Sequence, residues 1–430
     1  MATPQPFLAP DESAWRLAFA WHEHELLTGP GFSRGPIGKQ GRPVRRSFAL
    51  HGKRETGLEM QPAGCSVGNE AANERKAVEL PHVQPREAGV MGASLNRAAS
   101  RVSLVIIALA VAGLMAFGDS QASASHVSCG DTITADTTLD SDLVNCENNG
   151  IVIGADDITL DLNGHLIDGD GTEFAGCPKN EWCDFGLLND GHDGVTLRGG
   201  SVRDFHFGGV LVVAARHNRV ADLTVSRNAG TGIILFRSSR NTLIRNSARA
   251  NGLQLDQGGI SLNRSHHNLI KRNDLRRNGD LGLFMEISDQ NQTRKNRMRG
   301  NPEGGVIAEG RGNVFNRNRI VRGGGGILIT KITDHGAVGN VVRRNMVRNV
   351  RAAGIAVDPR PKRTVIKRNH VVGSGRAGIG VGSPSTTITR NRAVRNDGLG
   401  IKAVEGVIDG GGNIARHNGD PRQCVNVTCH

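Results

Sequence analysis

Residues 232–251 read GIILFRSSRNTLIRNSARAN, and this pattern returns repeatedly toward the C-terminus. Each copy opens on a glycine and an aliphatic residue: Gly186-Leu187, Gly209-Val210, Gly232-Ile233, Gly259-Ile260, Gly282-Leu283, Gly305-Val306, Gly326-Ile327, Gly354-Ile355, Gly378-Ile379 and Gly400-Ile401. Successive copies start 23, 23, 27, 23, 23, 21, 28, 24 and 22 residues apart. A second marker keeps phase with the first: an asparagine, usually behind a basic residue, at Asn246, Asn273, Asn296, Asn318, Asn345, Asn369 and Asn391.

A period of about 24 residues with short apolar alternations and no helical pattern predicts one solenoid coil per copy. Within a copy the alternation has period two, so Ile355 and Val357 share one face of a strand and Ala356 and Asp358 the other. Coils stacked roughly 4.8 Å apart pair every strand with the coils above and below. The same asparagine in successive coils can then form a hydrogen-bonded ladder at a turn. The repeat GIxV…N(T/L)(I/V)xxN…N, from about Gly150 to Asn418, resembles the right-handed parallel β-helix proteins of the pectate-lyase-like superfamily. The resemblance implies an all-β fold, a right-handed parallel β-helix of about ten to twelve coils. It implies no single activity, because the fold serves lyases, hydrolases, epimerases and scaffolds.

Outside the repeat the chain changes character. Residues 1–90 mix Pro, Gly, Arg and Glu without either periodicity and read as a disordered extension, with translation starting instead at Met91 as an alternative. Residues 91–124 have the form of a secretory signal peptide: Arg97 and Arg101, the apolar run Val102 to Phe117, then Ala122-Ser123-Ala124. The run is short for a membrane span, so none is expected after cleavage. Residues 125–149 are expected to cap the first coil, 150–418 to form the helix, and 419–430 to cap the last; a monomer is expected. Six of the seven cysteines follow the cleavage point, and three local pairs, 129 with 146, 177 with 183 and 424 with 429, would close small loops at or near the ends. Cys65 is the odd one. Between Gly171 and Phe185 the insertion TEFAGCPKNEWCD is either a lid or a surface excursion.

The formal charge of +12 comes from 53 basic residues, of which 10 are Lys. Such an excess of Arg accompanies biased genomes, so nucleic acid is not inferred from it. There is no GxSxG, phosphate loop, HExxH or zinc-finger spacing. His266-His267 reads as a surface pair, because neighbours on a strand face opposite ways.

Used as a ruler, the repeat gives chemistry. Three residues past each opening aliphatic residue lies an outward column: Val213, Phe236, Asn263, Glu286, Glu309, Thr330, Asp358 and Gly382. Glu286 and Glu309 fall in adjacent coils, where two close carboxylates raise one pKa or invite a cation. Asp289, Arg311, Lys331, Asp334, His335 and Arg360 lie nearby, and the preceding outward row, Ile234, Phe284, Ile307 and Leu328, suggests a groove wall. In the superfamily that the chain resembles, acids on such a face pair for glycoside hydrolysis or hold Ca²⁺ for elimination from a uronate. By that resemblance Glu286, Glu309 and Asp358 are the carboxylates, Arg360 or Lys331 the base or clamp, and Glu286, Glu309 and Asp289 a Ca²⁺ set. The polygalacturonase signatures are missing, and the absence of Tyr excludes a tyrosine proton donor.

A basic residue precedes each marker asparagine: Arg245, Arg272, Lys295, Arg317, Arg344, Arg368 and Arg390. At coil spacing these make a positive stripe suited to a polyanion such as an acidic polysaccharide or wall polymer. Three readings remain open: a secreted lyase or hydrolase of acidic polysaccharide, a non-enzymatic wall-binding scaffold, and a periplasmic copper-maturation protein, against which the scarcity of Met and clustered His counts.

Overall fold

The computed structural model describes residues 126–430 apart from 180 and 256; the extension, signal peptide and Cys65 lie outside the described residues. Each coil lays down three short strands, one per sheet, and each pairs in parallel with its counterpart one coil away. The sheets hold 13, 12 and 12 strands, with a fourth of two strands at 310–311 and 337–338. The crossover hand that L-residues favour makes the coil right-handed. The first sheet exceeds the predicted ten to twelve coils because Asp131–Ile133 and Cys424–Val425, expected in caps, pair as its end rungs.

The alternation in sequence becomes inside and outside. Ile233, Leu235, Leu243 and Ala248 of one coil point inward and are fully buried, as are Ile260, Leu262, Ile270 and Leu275 of the next. The opening glycine of each copy is a packing requirement: a Cβ at Gly232 would lie 2.7 Å from the Gly259 carbonyl oxygen and 2.8 Å from Asn251 Nδ2.

Turns buried inside the stack need partners for their backbone groups, and asparagine supplies them at all three corners. Between the second and third sheets, the N–H of Asn296 donates to Asn318 Oδ1 at 3.0 Å and that of Asn318 to Asn345 Oδ1 at 2.9 Å. This ladder runs from Asn246 to Asn413. A second joins Asn218, Asn241, Asn268, Asn291, Asn313 and Asn340, and a third Asn228, Asn251, Asn278 and Asn301. Disulfides join Cys129 to Cys146, Cys177 to Cys183 and Cys424 to Cys429. The 171–185 insertion lies over the outer face of the first sheet: Trp182 meets Phe185 and Phe236 edge-on at 6.4 and 5.9 Å.

Candidate functional site

Register puts Val213, Phe236, Asn263 and Glu286 on successive rungs of the first sheet, as the ruler predicts. One coil earlier stands Asp190, which sequence reading left out although the same count reaches it. Although the residue is exposed at the end of its strand, partial desolvation raises the pKa of its carboxyl. The next strand, Gly304–Ala308, stops before Glu309, yet the Glu309 N–H still donates to the Met285 carbonyl at 2.8 Å. The two glutamates are therefore neighbours across one coil step. Desolvation first, and then the Glu309 charge, raise the pKa of Glu286, against the pull of Arg264 and a hydrogen bond from Asn263.

An outward acid pair was expected, and the structure corrects it. Glu309 is fully buried and already taken. Its Oε1 accepts the N–H groups of Ile332, Thr333 and Gly336 at 3.2, 2.8 and 3.1 Å, and the Thr333 hydroxyl donates to Oε2 at 2.9 Å. The extra length of the 28-residue coil folds over this carboxylate, and Glu309 anchors the loop.

That loop delivers His335, whose Nε2 lies 2.8 Å from Asp289 Oδ1. The same oxygen accepts the Arg311 N–H at 2.6 Å, while the Asp289 N–H donates to His266 Nδ1 at 3.1 Å. His266, expected at the surface, is half-buried in this network, and desolvation lowers its pKa. Asp289 is thus committed to loop contacts. Among the described residues no three His, Cys, Asp or Glu side chains meet in an arrangement able to hold a metal, so the expected set of Glu286, Glu309 and Asp289 does not form. Of the other proposed catalytic residues, Asp358 accepts the Thr330 hydroxyl, Lys331 pairs with Asp334 at 3.2 Å, and Arg360 is exposed on the turn after Asp358. The expected groove wall is split in two: Ile234 packs under Trp182, while Phe284 and Ile307 pack with Leu328 and Ile332.

The basic stripe forms at the corner between the second and third sheets, away from the acids. All seven members adopt left-handed backbone, φ 54° to 58°. Arg245 is spoken for by Asp222, with Nε 2.7 Å from Oδ1. From Arg272 onward the stripe makes no ion pair among the described residues. The last residues of the second-sheet strands run beside it in register as Lys271, Arg294, Asn316, Arg343 and Lys367, so most coils carry two cations here. Desolvation, then the charges of Arg272 and Arg294, push the Lys271 ammonium below its usual range. Arg343, Arg344, Lys367, Arg368, Thr389 and Arg390 line a cavity of about 250 Å³. Arg294 Nε and Arg343 Nε are buried without a hydrogen-bond partner. This second cation column escaped sequence reading, though counting one residue back from each stripe member reaches it.

A family described as the right-handed β-helix region matches residues 253–394, and one described as periplasmic copper-binding protein (NosD) matches residues 121–291. No curated protein matches the chain. Among solved structures, the catalytic domain of a GH87 alpha-1,3-glucanase in complex with nigerose is 14% identical, over 71% of this chain and 63% of that domain, with a TM-score of 0.43. The chain thus spans under two thirds of that domain. The periplasmic alginate epimerase AlgG is 15% identical over 70% of this chain and 74% of its own, TM-score 0.41. A tailspike protein of an E. coli bacteriophage, in complex with a pentasaccharide, is 13% identical over 70% and 64%, TM-score 0.43. With three parallel sheets, a coil of about 24 residues and the match to the right-handed β-helix region over its middle, the chain folds as a right-handed parallel β-helix.

Proposed function

We propose that this β-helix binds an acidic polysaccharide or wall polymer along the corner between its second and third sheets. The supporting observation is the run of cations from Lys271 to Arg390, without a carboxylate partner among the described residues, whose last members line a cavity where the Nε of Arg343 has no acceptor. Left-handed backbone costs an L-residue about 1 kcal/mol that glycine avoids. Arginine at six such turns and lysine at the seventh place charge where glycine folds most easily. The pairing of six cysteines in three disulfides suits an oxidising compartment, outside the cell or in its envelope. The protein works as a monomer in this reading.

Titration with polygalacturonate by calorimetry tests the proposal. Affinity should fall steeply between 50 mM and 300 mM salt, about the range in which exposed charges become screened. Arg344→Ala with Arg368→Ala and Arg390→Ala should weaken it about tenfold or more. Binding indifferent to salt and to those changes would refute it.

A second reading, turnover at Glu286, draws on that residue's raised pKa, since hydrolysis of a glycosidic bond needs a carboxyl still protonated near neutrality. His335, delivered by the loop over the adjacent coil and held there by Asp289, would supply a base. Incubation with polyuronates, with and without Ca²⁺, should then release reducing ends or unsaturated products, and Glu286→Gln should abolish the release. Undiminished release would remove Glu286 from the reaction.

A further inference from the structure

A second basic site lies on the third sheet. Arg297 and Arg299 on one strand, Arg319 and Arg322 on and just past the next, and Arg348 on the third line a cavity of about 330 Å³ whose rim includes Asn349. Register stacks Arg297 on Arg319, while Arg299 and Arg348 flank Val321. All five guanidiniums are exposed. None hydrogen-bonds or ion-pairs with another described side chain; the carboxylate nearest in register, Asp274 on the rung before Arg297, sits 3.6 Å from Arg276. No lysine, no carboxylate and no aromatic ring lines the cavity.

We propose that this pocket takes tetrahedral oxyanion groups, the sulfate or phosphate esters of a glycan, and that the polymer bound by this protein is of that kind rather than a polyuronate. The inference rests on the corner stripe being a polyanion site and names the ligand's charged group. Three facts carry it. Every charged group in the lining is a guanidinium, whose planar fork matches two oxygens of one anion, whereas lysine acts as a point charge. The charge is dense: five cations fall on three adjacent coils, a rise of about 10 Å between the outer rungs, while a polyuronate brings one carboxylate per sugar. A sulfate or phosphate monoester offers three terminal oxygens, so one group can bridge forks on neighbouring coils. Single-stranded nucleic acid also carries phosphate, but its usual sites stack bases on aromatic side chains, and this pocket has none.

The test compares four polymers of similar length at fixed salt: dextran sulfate, inorganic polyphosphate, polygalacturonate and polyacrylate, the last a carboxylate chain of high charge density. Dextran sulfate or polyphosphate should bind at least tenfold more tightly than both carboxylate polymers. The variant Arg299→Ala, Arg319→Ala, Arg348→Ala should lose that preference while holding polygalacturonate within about twofold of the parent, through the untouched corner. Polyacrylate binding as tightly as dextran sulfate would overturn the proposal, since charge density alone would then suffice. So would a triple variant that weakens all four polymers equally, or an oligonucleotide that outcompetes dextran sulfate. If no polymer binds, the corner reading falls with it; if polygalacturonate binds and the esters bind no better, only the present inference falls.

Discussion

Single residues behave here according to what their coil neighbours leave them. Glu286 has a raised pKa, so the folded protein holds its proton more tightly than the unfolded chain does. Below the ordinary value of 4.5 the carboxyl is protonated in both states and contributes nothing; as pH rises through and beyond that value the ionised form destabilises the fold. Glu286→Gln keeps an acceptor for Asn263 and removes that charge. It should raise the melting temperature at pH 8 by about 2–4 °C, for about 1 kcal/mol, with the gain vanishing toward pH 4 in calorimetric scans. Arg344 makes the opposite kind of case, with a φ of 54° and no carboxylate partner among the described residues. Arg344→Gly should stabilise the protein by up to about 1 kcal/mol while weakening polyanion binding. Denaturant melts and titration on the same sample check both; a glycine variant that binds as well as the parent would make the arginine a matter of composition.

At the scale of the repeated element, the sequence was readable wherever one local requirement recurs. The opening glycine is fixed by a backbone approach met in each coil, and the marker asparagine by an N–H that only a side chain from the next coil can reach. Asn318→Ala would strip the Asn296 N–H of its acceptor and the Thr293 carbonyl of its donor, both buried. About 3 kcal/mol of stability should go with them. Asn316, two residues earlier, has an Oδ1 with no partner at all, and Asn316→Ala should cost well under about 1 kcal/mol. Urea melts of the pair separate a ladder position from a merely similar letter. Loops were not readable in this way. Spacing located the extra residues near Thr330, but nothing in a period shows that Glu309 would turn under them and be claimed by Thr333 and Gly336. For the same reason Asp289 and His335, 46 residues apart, could be named as neighbours without their contact being foreseen.

Across the whole molecule the charge is sorted along the axis. Ion pairs of arginine with aspartate, such as Arg203–Asp168 and Arg245–Asp222, crowd the early coils, and the later coils carry cations with few acids. Composition gave only the sum, +12, because position on a face emerges after winding. Winding also decides how the molecule comes apart. Each coil touches only the coils beside it, so stability is close to a sum of coil and interface terms, and an end can open while the middle stays closed. Among the described residues the end coil near Cys129 pairs with a coil on one side only, and the Cys129–Cys146 bond, spanning 17 residues, holds it. Closing a loop of that size is worth about 3 kcal/mol. Cys129→Ser with Cys146→Ser should therefore raise hydrogen exchange through residues 131–153 by about a hundredfold while leaving Leu281–Glu286 and its neighbours protected as before. Faster exchange reaching Leu281–Glu286 would mean that the coils melt together and that the solenoid is one cooperative unit.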